Sequence, residues 1–288
     1  MTIDGQPAGL APISPWVFTG FLPDQWRPIP AVQTLDFIPF RVNLTPFVSM
    51  LNDGNPHTVS LSVFDDDSYF SAAATLLLFL DQGSAQVTGA LTGNRLASPS
   101  PVVTENLEGT SEVTGTIDVA QARNYSIAGY AITSHGTVST SISQQQSFSS
   151  RQTIDFNTVD PNAGPLDQNT SMQTSIGTTT TVVDNQGSTV TQENFSFPIT
   201  VDEIYPVGNS LFGFTVVTTQ EYKASKSVAL NGVVTDSVTT TNSAQASDVI
   251  PQSSSQSYTF NNLNGPPYNC TIQSASNVLT SVSAGCRH

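Results

Sequence analysis

A succession of short segments with alternating apolar and polar residues, from residue 113 onward, constrains the fold most. Successive side chains of a β-strand point to opposite faces, so each segment is typical of a strand with one wet face. Gly, Asn, Asp and Pro separate the segments, as expected of turns. The pattern predicts an all-β protein, an antiparallel β-sandwich with jelly-roll-like packing. The predicted strands cover residues 113–119, 125–132, 137–143, 178–183, 189–197, 212–219 and 228–234.

A break in this pattern suggests where one domain ends. Ser98, Pro99, Ser100 and Pro101 interrupt the alternation, and such clusters mark loops. We therefore expect two packed β domains, residues 1–97 and 98–288. In the first, residues 58–63 alternate strictly, which predicts a half-buried strand. Residues 75–80 are continuously apolar, which predicts a core strand covered on both faces.

The chain carries far more acidic than basic side chains. Its 288 residues hold 22 Asp plus Glu against 8 Lys plus Arg, which gives a formal net charge of −14 at pH 7. A surface of that sign repels the phosphates of nucleic acids and anionic membranes, so neither is an expected partner. The longest apolar stretch, residues 72–80, is also too short for a membrane-spanning helix.

Cys270 and Cys286 are the only cysteines. We expect them to form a disulfide, with two buried thiols as the alternative. No histidine pattern accompanies them, so we expect no metal site. Abundant Ser and Thr with few charges suit a secreted, extracellular β protein. Residues 1–5 nevertheless lack the features of a signal peptide, which predicts that Met1 is not the native start and that the chain is the C-terminal part of a longer secreted protein.

Clustered motifs occupy the first third of the chain. In order they are Phe18-Thr19-Gly20, Trp26, Pro28, Thr45-Pro46-Phe47, Asp53-Gly54, His57 and Leu80-Asp81-Gln82-Gly83-Ser84. Ile127-Ala128-Gly129-Tyr130, Thr133-Ser134-His135-Gly136 and the two cysteines continue the set. This ordered set resembles the peptide N-glycosidase A family across essentially the whole chain. One departure is Phe21, a bulky residue where the family usually has a second, backbone-permissive glycine.

The resemblance implies a secreted amidase that cleaves the bond between N-acetylglucosamine and an asparagine side chain, leaving aspartate, without a metal or another cofactor. N-glycans or N-glycopeptides would be its partners. Complete family members are longer, so the chain would correspond to their C-terminal half, with a truncated first domain. We therefore expect a fragment with incomplete activity, whose apolar surface would be covered by a missing N-terminal domain.

Amidase chemistry narrows the choice of site residues. It requires a carboxylate to activate water, donors for the developing oxyanion and an acid for the leaving amine. Asp65 and Asp36 are the catalytic candidates, although residues 65–67 could simply form an exposed turn. Arg27 and Arg41 could hold the oxyanion or the substrate. Each could instead neutralise a neighbouring carboxylate.

Two tryptophans could bind substrate. Trp16 and Trp26 have flat faces that could stack on a sugar ring, with core packing as the alternative. His57 could touch substrate, but its position at the start of a strand favours a turn-anchoring role. A non-catalytic glycan-binding or structural β-sandwich is therefore the competing function. A Ser/Thr-rich stalk or adhesin fits residues 137–256 but leaves the N-terminal motifs unexplained.

Overall fold

The computed structural model describes residues 1–12, 26–34, 38–64, 72–157, 165–204, 215–249 and 251–286. Strands dominate these ranges. They are β1 (Thr2–Ile3), β2 (Gln6–Pro7), β3 (Val59–Ser60), β4 (Thr88–Asn94), β5 (Val102–Glu108), β6 (Glu112–Thr133), β7 (Gly136–Asn157), β8 (Pro165–Asp184), β9 (Gly187–Ile204), β10 (Thr215–Leu230), β11 (Val233–Ser247), β12 (Ser253–Asn262), β13 (Tyr268–Ala275) and β14 (Val278–Val282). The helical elements are 3₁₀ helices at Thr45–Phe47 and Ala284–Cys286 and helix α1 (Val48–Leu51). None of the helices in these ranges is long and apolar enough to cross a membrane.

Most strands belong to one large antiparallel sheet, in the order β14-β13-β12-β11-β10-β9-β8-β7-β6-β4, with β5 also paired to β6. From β6 to β14, each strand pairs with its neighbour in the chain, as hairpin connections dictate. β6 and β7 are each 22 residues long, or roughly 70 Å at the usual rise of a strand. The predicted all-β, antiparallel class is confirmed.

A second layer covers one face of the large sheet. It consists of the small sheet β2-β1-β3 together with the segments around it. Ile3 of β1 and Phe47 pack on Tyr125 and Ile127 of β6. Farther along, residues 26–32 pack on β8 to β11. The fold is therefore sandwich-like, as predicted, and burial of these large apolar side chains contributes about 1.5–3 kcal/mol each.

Side chains of the large sheet alternate as the sequence predicts. On β6, Tyr125, Ile127 and Ala131 are buried, whereas Ser126 and Ile132 are exposed. The strands are longer than predicted, because polar residues continue them. The predicted segments 113–119 and 125–132 are two parts of β6.

The predicted strand at residues 228–234 is wrong, because a hairpin turn divides it. β10 ends at Leu230 and β11 begins at Val233. Asn231 and Gly232 between them have φ angles of 49° and 82°. Two successive positive φ angles are the mark of a tight hairpin turn, which Asn-Gly sequences favour.

The two strands predicted before residue 81 are also largely wrong. Residues 75–80 form no strand and lie on the surface, with Phe79 94% and Leu80 84% exposed. Of residues 58–63, only Val59–Ser60 form a strand, and both residues are exposed. Nothing in the described part of the chain covers these side chains.

The disulfide between Cys270 and Cys286 is confirmed. It joins β13 to the 3₁₀ helix at Ala284–Cys286, with the two Cα atoms 4.6 Å apart. The division at residues 97 and 98 stays a prediction. β4, on the N-terminal side of that division, is hydrogen-bonded to β6 on the other side.

Candidate functional site

Three predicted site residues, Trp16, Asp36 and Asp65, lie outside the described residues. Arg27 is exposed. Trp26 beside it is only 7% exposed and packs among Val32, Phe197 and Tyr222. Its indole nitrogen is buried and finds no hydrogen-bond partner among the described residues. Burial of the side chain favours the core-packing interpretation of Trp26 over sugar stacking.

Arg41 lies in a groove between the two layers. Ala8, Leu10 and residues 38–43 form one wall, and the covered face of β6 to β10 forms the other. The groove encloses about 220 Å³. Its wall shares Phe40 and Phe195 with the apolar cluster around Trp26, and these two rings lie 5.4 Å apart. Among the predicted site residues that the structure describes, only Arg41 lines this groove.

A row of five polar side chains runs across the floor of the groove. Tyr125, Gln144, Thr178, Glu193 and Lys226 lie directly opposite one another on β6, β7, β8, β9 and β10. Directly paired residues of antiparallel strands share a face of the sheet. Neighbouring strands are about 4.8 Å apart, so the row spans roughly 19 Å.

Hydrogen bonds order the inner end of this row. The Tyr125 hydroxyl donates to Gln144 Oε1, and Gln144 Nε2 donates to Thr178 Oγ1 over 3.1 Å. Gln144 is 4% exposed, so both of its polar atoms need these partners. Burial raises the pKa of Tyr125 to about 12, which keeps its hydroxyl protonated and able to donate.

The outer end of the row, Glu193 and Lys226, is charged, and Arg41 lies on the opposite wall of the groove. Arg41 and Lys226 are exposed and Glu193 is half-buried, and all three line the groove. No described residue forms an ion pair or side-chain hydrogen bond with any of them. The groove therefore combines an apolar and hydrogen-bonded inner part with cations and one carboxylate at its mouth.

His57 is held between two carboxylates. Its Nδ1 lies 2.8 Å from Asp4 Oδ2 and its Nε2 lies 3.0 Å from Asp53 Oδ1. The bond to Asp4 and then the bond to Asp53 raise the pKa of His57. Asp4 also accepts from the Thr58 amide over 2.8 Å. This geometry agrees with the turn-anchoring interpretation of His57, because both ring nitrogens are occupied.

Asp81 connects two of the motifs on which the family resemblance rests. Its carboxylate accepts hydrogen bonds from the Ser134 amide and hydroxyl, each over 2.6 Å. It also accepts from the Gly83 amide and the Ser84 hydroxyl. The Ser134 hydroxyl, followed by the Ser134 amide, holds the pKa of Asp81 far below its usual range. The carboxylate thus fastens residues 81–84 to the β6–β7 hairpin.

Sequence reasoning did not identify Gln144, Thr178, Glu193 or Lys226. Alternation alone places each residue on one face of its own strand. Their convergence depends on the register between five strands, and residue spacing along the chain does not encode that register. No described group of three or more His, Cys, Asp and Glu side chains is arranged to hold a metal ion.

The fold and groove define a class: an all-β protein in which an N-terminal layer covers a large antiparallel sheet. Residues 1–92, which supply that layer and most of β4, match the family described as peptide N-acetyl-beta-D-glucosaminyl asparaginase amidase A. This match confirms the resemblance seen in the sequence for the first third of the chain.

A curated relative agrees with the family match. The chain is 28% identical over 141 residues to peptide-N4-(N-acetyl-beta-glucosaminyl)asparagine amidase A from Prunus dulcis. The aligned part is 49% of this chain and 24% of the relative, so the match spans about a quarter of the relative's length. No solved structure matches the chain.

Proposed function

We propose that this chain is part of a peptide N-glycosidase-type amidase. The proposed reaction hydrolyses the amide between N-acetylglucosamine and the asparagine side chain of an N-glycopeptide. The observation that carries the proposal is the match of residues 1–92 to the amidase family. The competing function is a non-catalytic glycan-binding or structural β-sandwich.

The proposed chemistry assigns roles to the N-terminal residues. A carboxylate, Asp65 or Asp36, takes a proton from water as the water attacks the side-chain carbonyl. Arg27 or Arg41 stabilises the oxyanion, since a guanidinium offers paired donors. The carbon–nitrogen bond then breaks, an acid protonates the leaving amine, and aspartate remains on the peptide. Trp16 is a candidate for stacking on the sugar.

We further propose that a separate β domain of a longer protein covers the exposed apolar segment at residues 72–80. Five consecutive large apolar side chains of this segment, residues 76–80, are between 46% and 94% exposed. Apolar surface of this extent and continuity usually marks an interface. Secretion fits the disulfide, because disulfides persist in oxidising compartments.

Release of glycan from a short N-glycopeptide at mildly acidic pH, in the absence of added metal, tests the proposed function. Chromatography would follow the glycan and the peptide. Asn substitution of the carboxylate that acts as the base, Asp65 or Asp36, should reduce release at least a hundredfold. Asp236→Asn, at an exposed position of β11, is the control and should leave the rate unchanged. Equal rates in all variants would contradict the assigned roles.

A further inference from the structure

The charged mouth of the groove places opposite charges side by side without pairing them. Glu193 of β9 lies directly opposite Lys226 of β10, at the separation where cross-strand charge pairs normally form. The two side chains nevertheless make no ion pair with each other or with any other described residue. Both line the groove, together with Arg41 from the opposite wall.

The other face of the same strand shows the contrasting arrangement. Lys223 Nζ lies 2.6 Å from Glu221 Oε1, so on that outer face the two charges neutralise each other. Side chains of β10 alternate between faces, which places Lys223 outside and Lys226 within the groove. A Glu and a Lys are thus paired with each other on the outer face. In the groove, the corresponding Glu193 and Lys226 are available for a ligand.

We propose that this groove binds a zwitterionic ligand with an apolar body, of the α-amino acid class. Arg41 and Lys226 hold the carboxylate, and Glu193 holds the ammonium group. A bidentate or charge-assisted contact suits each of these groups. The apolar body of the ligand lies toward Phe195, which is two residues from Glu193 on the same face of β9 and also lines the groove.

The size and charge of the groove argue for this class of ligand. Its volume of about 220 Å³ is below the usual range for sites that take drug-sized molecules, so it suits a single small molecule. A neutral sugar would leave three charged groups without partners of opposite charge. A simple anion would satisfy the cations but would leave Glu193 facing a like charge.

This inference does not rest on the proposed amidase function. Arg41 is also a candidate for the oxyanion in the proposed amidase, but Glu193 and Lys226, whose variants test the present inference, lie beyond the part that matches the amidase family. Binding is measured without turnover, so a failure of one proposal leaves the other standing.

Binding of blocked ligands to the full chain tests the proposal. The probes are leucine, N-acetyl-leucine, which lacks the ammonium group, and leucinamide, which lacks the carboxylate. Calorimetry or ligand-observed NMR should show each blocked compound binding about tenfold or more weakly than leucine, because each loses one charge-assisted contact. N-acetylglucosamine, as the neutral sugar, should bind more weakly than leucine as well.

Variants connect each charge to its partner on the ligand. Glu193→Gln should weaken leucine and leucinamide but leave N-acetyl-leucine unchanged. Lys226→Met should weaken leucine and N-acetyl-leucine but leave leucinamide unchanged. The controls Glu221→Gln and Lys223→Met, on the outer face of β10, should bind leucine as the wild type does. Circular dichroism confirms that each variant is folded.

Three results would overturn the proposal. The first is no saturable binding of leucine, and the second is equal binding of leucine and both blocked compounds. The third is tighter binding of N-acetylglucosamine that persists in Glu193→Gln and Lys226→Met. That last result would assign the groove to neutral sugars instead.

Discussion

His57 joins Asp4 to Asp53, and the charge states of all three side chains decide how strongly they attract. Its pKa is raised, so its contribution to stability is complete below pH 6.5 and is lost as the pH rises through the folded value. The Thr58 amide, followed by His57, lowers the pKa of Asp4, and the Asn55 amide is the main cause for Asp53. The contributions of Asp4 and Asp53 to stability are therefore complete above pH 3.8 and are lost as the pH falls through their pKa values in the folded state.

His57→Gln should destabilise the fold most between pH 3.8 and pH 6.5, the ordinary pKa values of the two kinds of group. Urea unfolding at several pH values gives the difference in free energy from the wild type. The difference should shrink on both sides of this window. The control is His135→Gln, because among the described residues the His135 ring contacts only the Ser134 hydroxyl. A pH-independent effect of His57→Gln would contradict the charged arrangement.

At the scale of elements, the hairpin turns help to fix the register of the long strands. Asn231 and Gly232 close the β10–β11 hairpin with positive φ angles. The Asn231 side chain also accepts a hydrogen bond from the Ser188 amide over 2.9 Å, so this turn is fastened to the neighbouring β8–β9 hairpin. The conformation of one turn therefore supports the register of four strands.

Gly232→Ala should lower the free energy of unfolding by about 1–2 kcal/mol, because the left-handed conformation is less favourable by that amount for a residue with a Cβ atom. A methyl group at Gly232 would meet no atom within 4 Å, so the effect reports backbone strain alone. Gly93→Ala is the matched control, since its methyl group also meets no atom and its φ is not positive. Chemical denaturation of both variants checks the expectation, and equal stabilities would contradict it.

The sequence predicts the strands well where side chains alternate and poorly where they do not. The buried face of β6 is predicted by spacing alone, because Tyr125, Ile127 and Ala131 are separated by even numbers of residues. Residues 228–234 look like one strand because Val flanks both sides of the Asn-Gly turn. Residues 75–80 have the composition of a core strand, but composition does not specify which surface covers them. In the groove, Arg41 is predicted as a site residue from the sequence. The positions of Glu193 and Lys226 beside each other could not be predicted, because they depend on strand register.

At the scale of the whole molecule, apolar side chains occupy two opposite environments. Phe197 is fully buried at the centre of the cluster between the layers, 5.6 Å from the ring of Tyr222. Phe79 is almost fully exposed in the segment at residues 72–80. Only the first contributes to the stability of the described fold.

Phe197→Ala should therefore reduce the free energy of unfolding by roughly 3–5 kcal/mol, through lost burial and the cavity it leaves. Phe79→Ala is the matched control and should change it little. Thermal or urea denaturation measures both variants. A large loss in Phe79→Ala would show that residues 72–80 pack against the same chain.

The exposed segment should also make the isolated chain associate with itself. Light scattering of the wild type should show dimers or larger species that grow with concentration, because burial of apolar surface drives association. The variant carrying Leu78→Ser, Phe79→Ser and Leu80→Ser should be shifted toward monomer. A monodisperse wild-type monomer at all concentrations would contradict the proposal that another domain covers this surface.

The most direct test of the proposed amidase function is the mass of the peptide product after incubation with an N-glycopeptide in heavy-oxygen water. Hydrolysis of the amide should convert asparagine to aspartate and place one heavy oxygen in the new carboxyl group. An unchanged glycopeptide from a folded sample, or release of sugar that leaves asparagine intact, would contradict amidase activity in this chain.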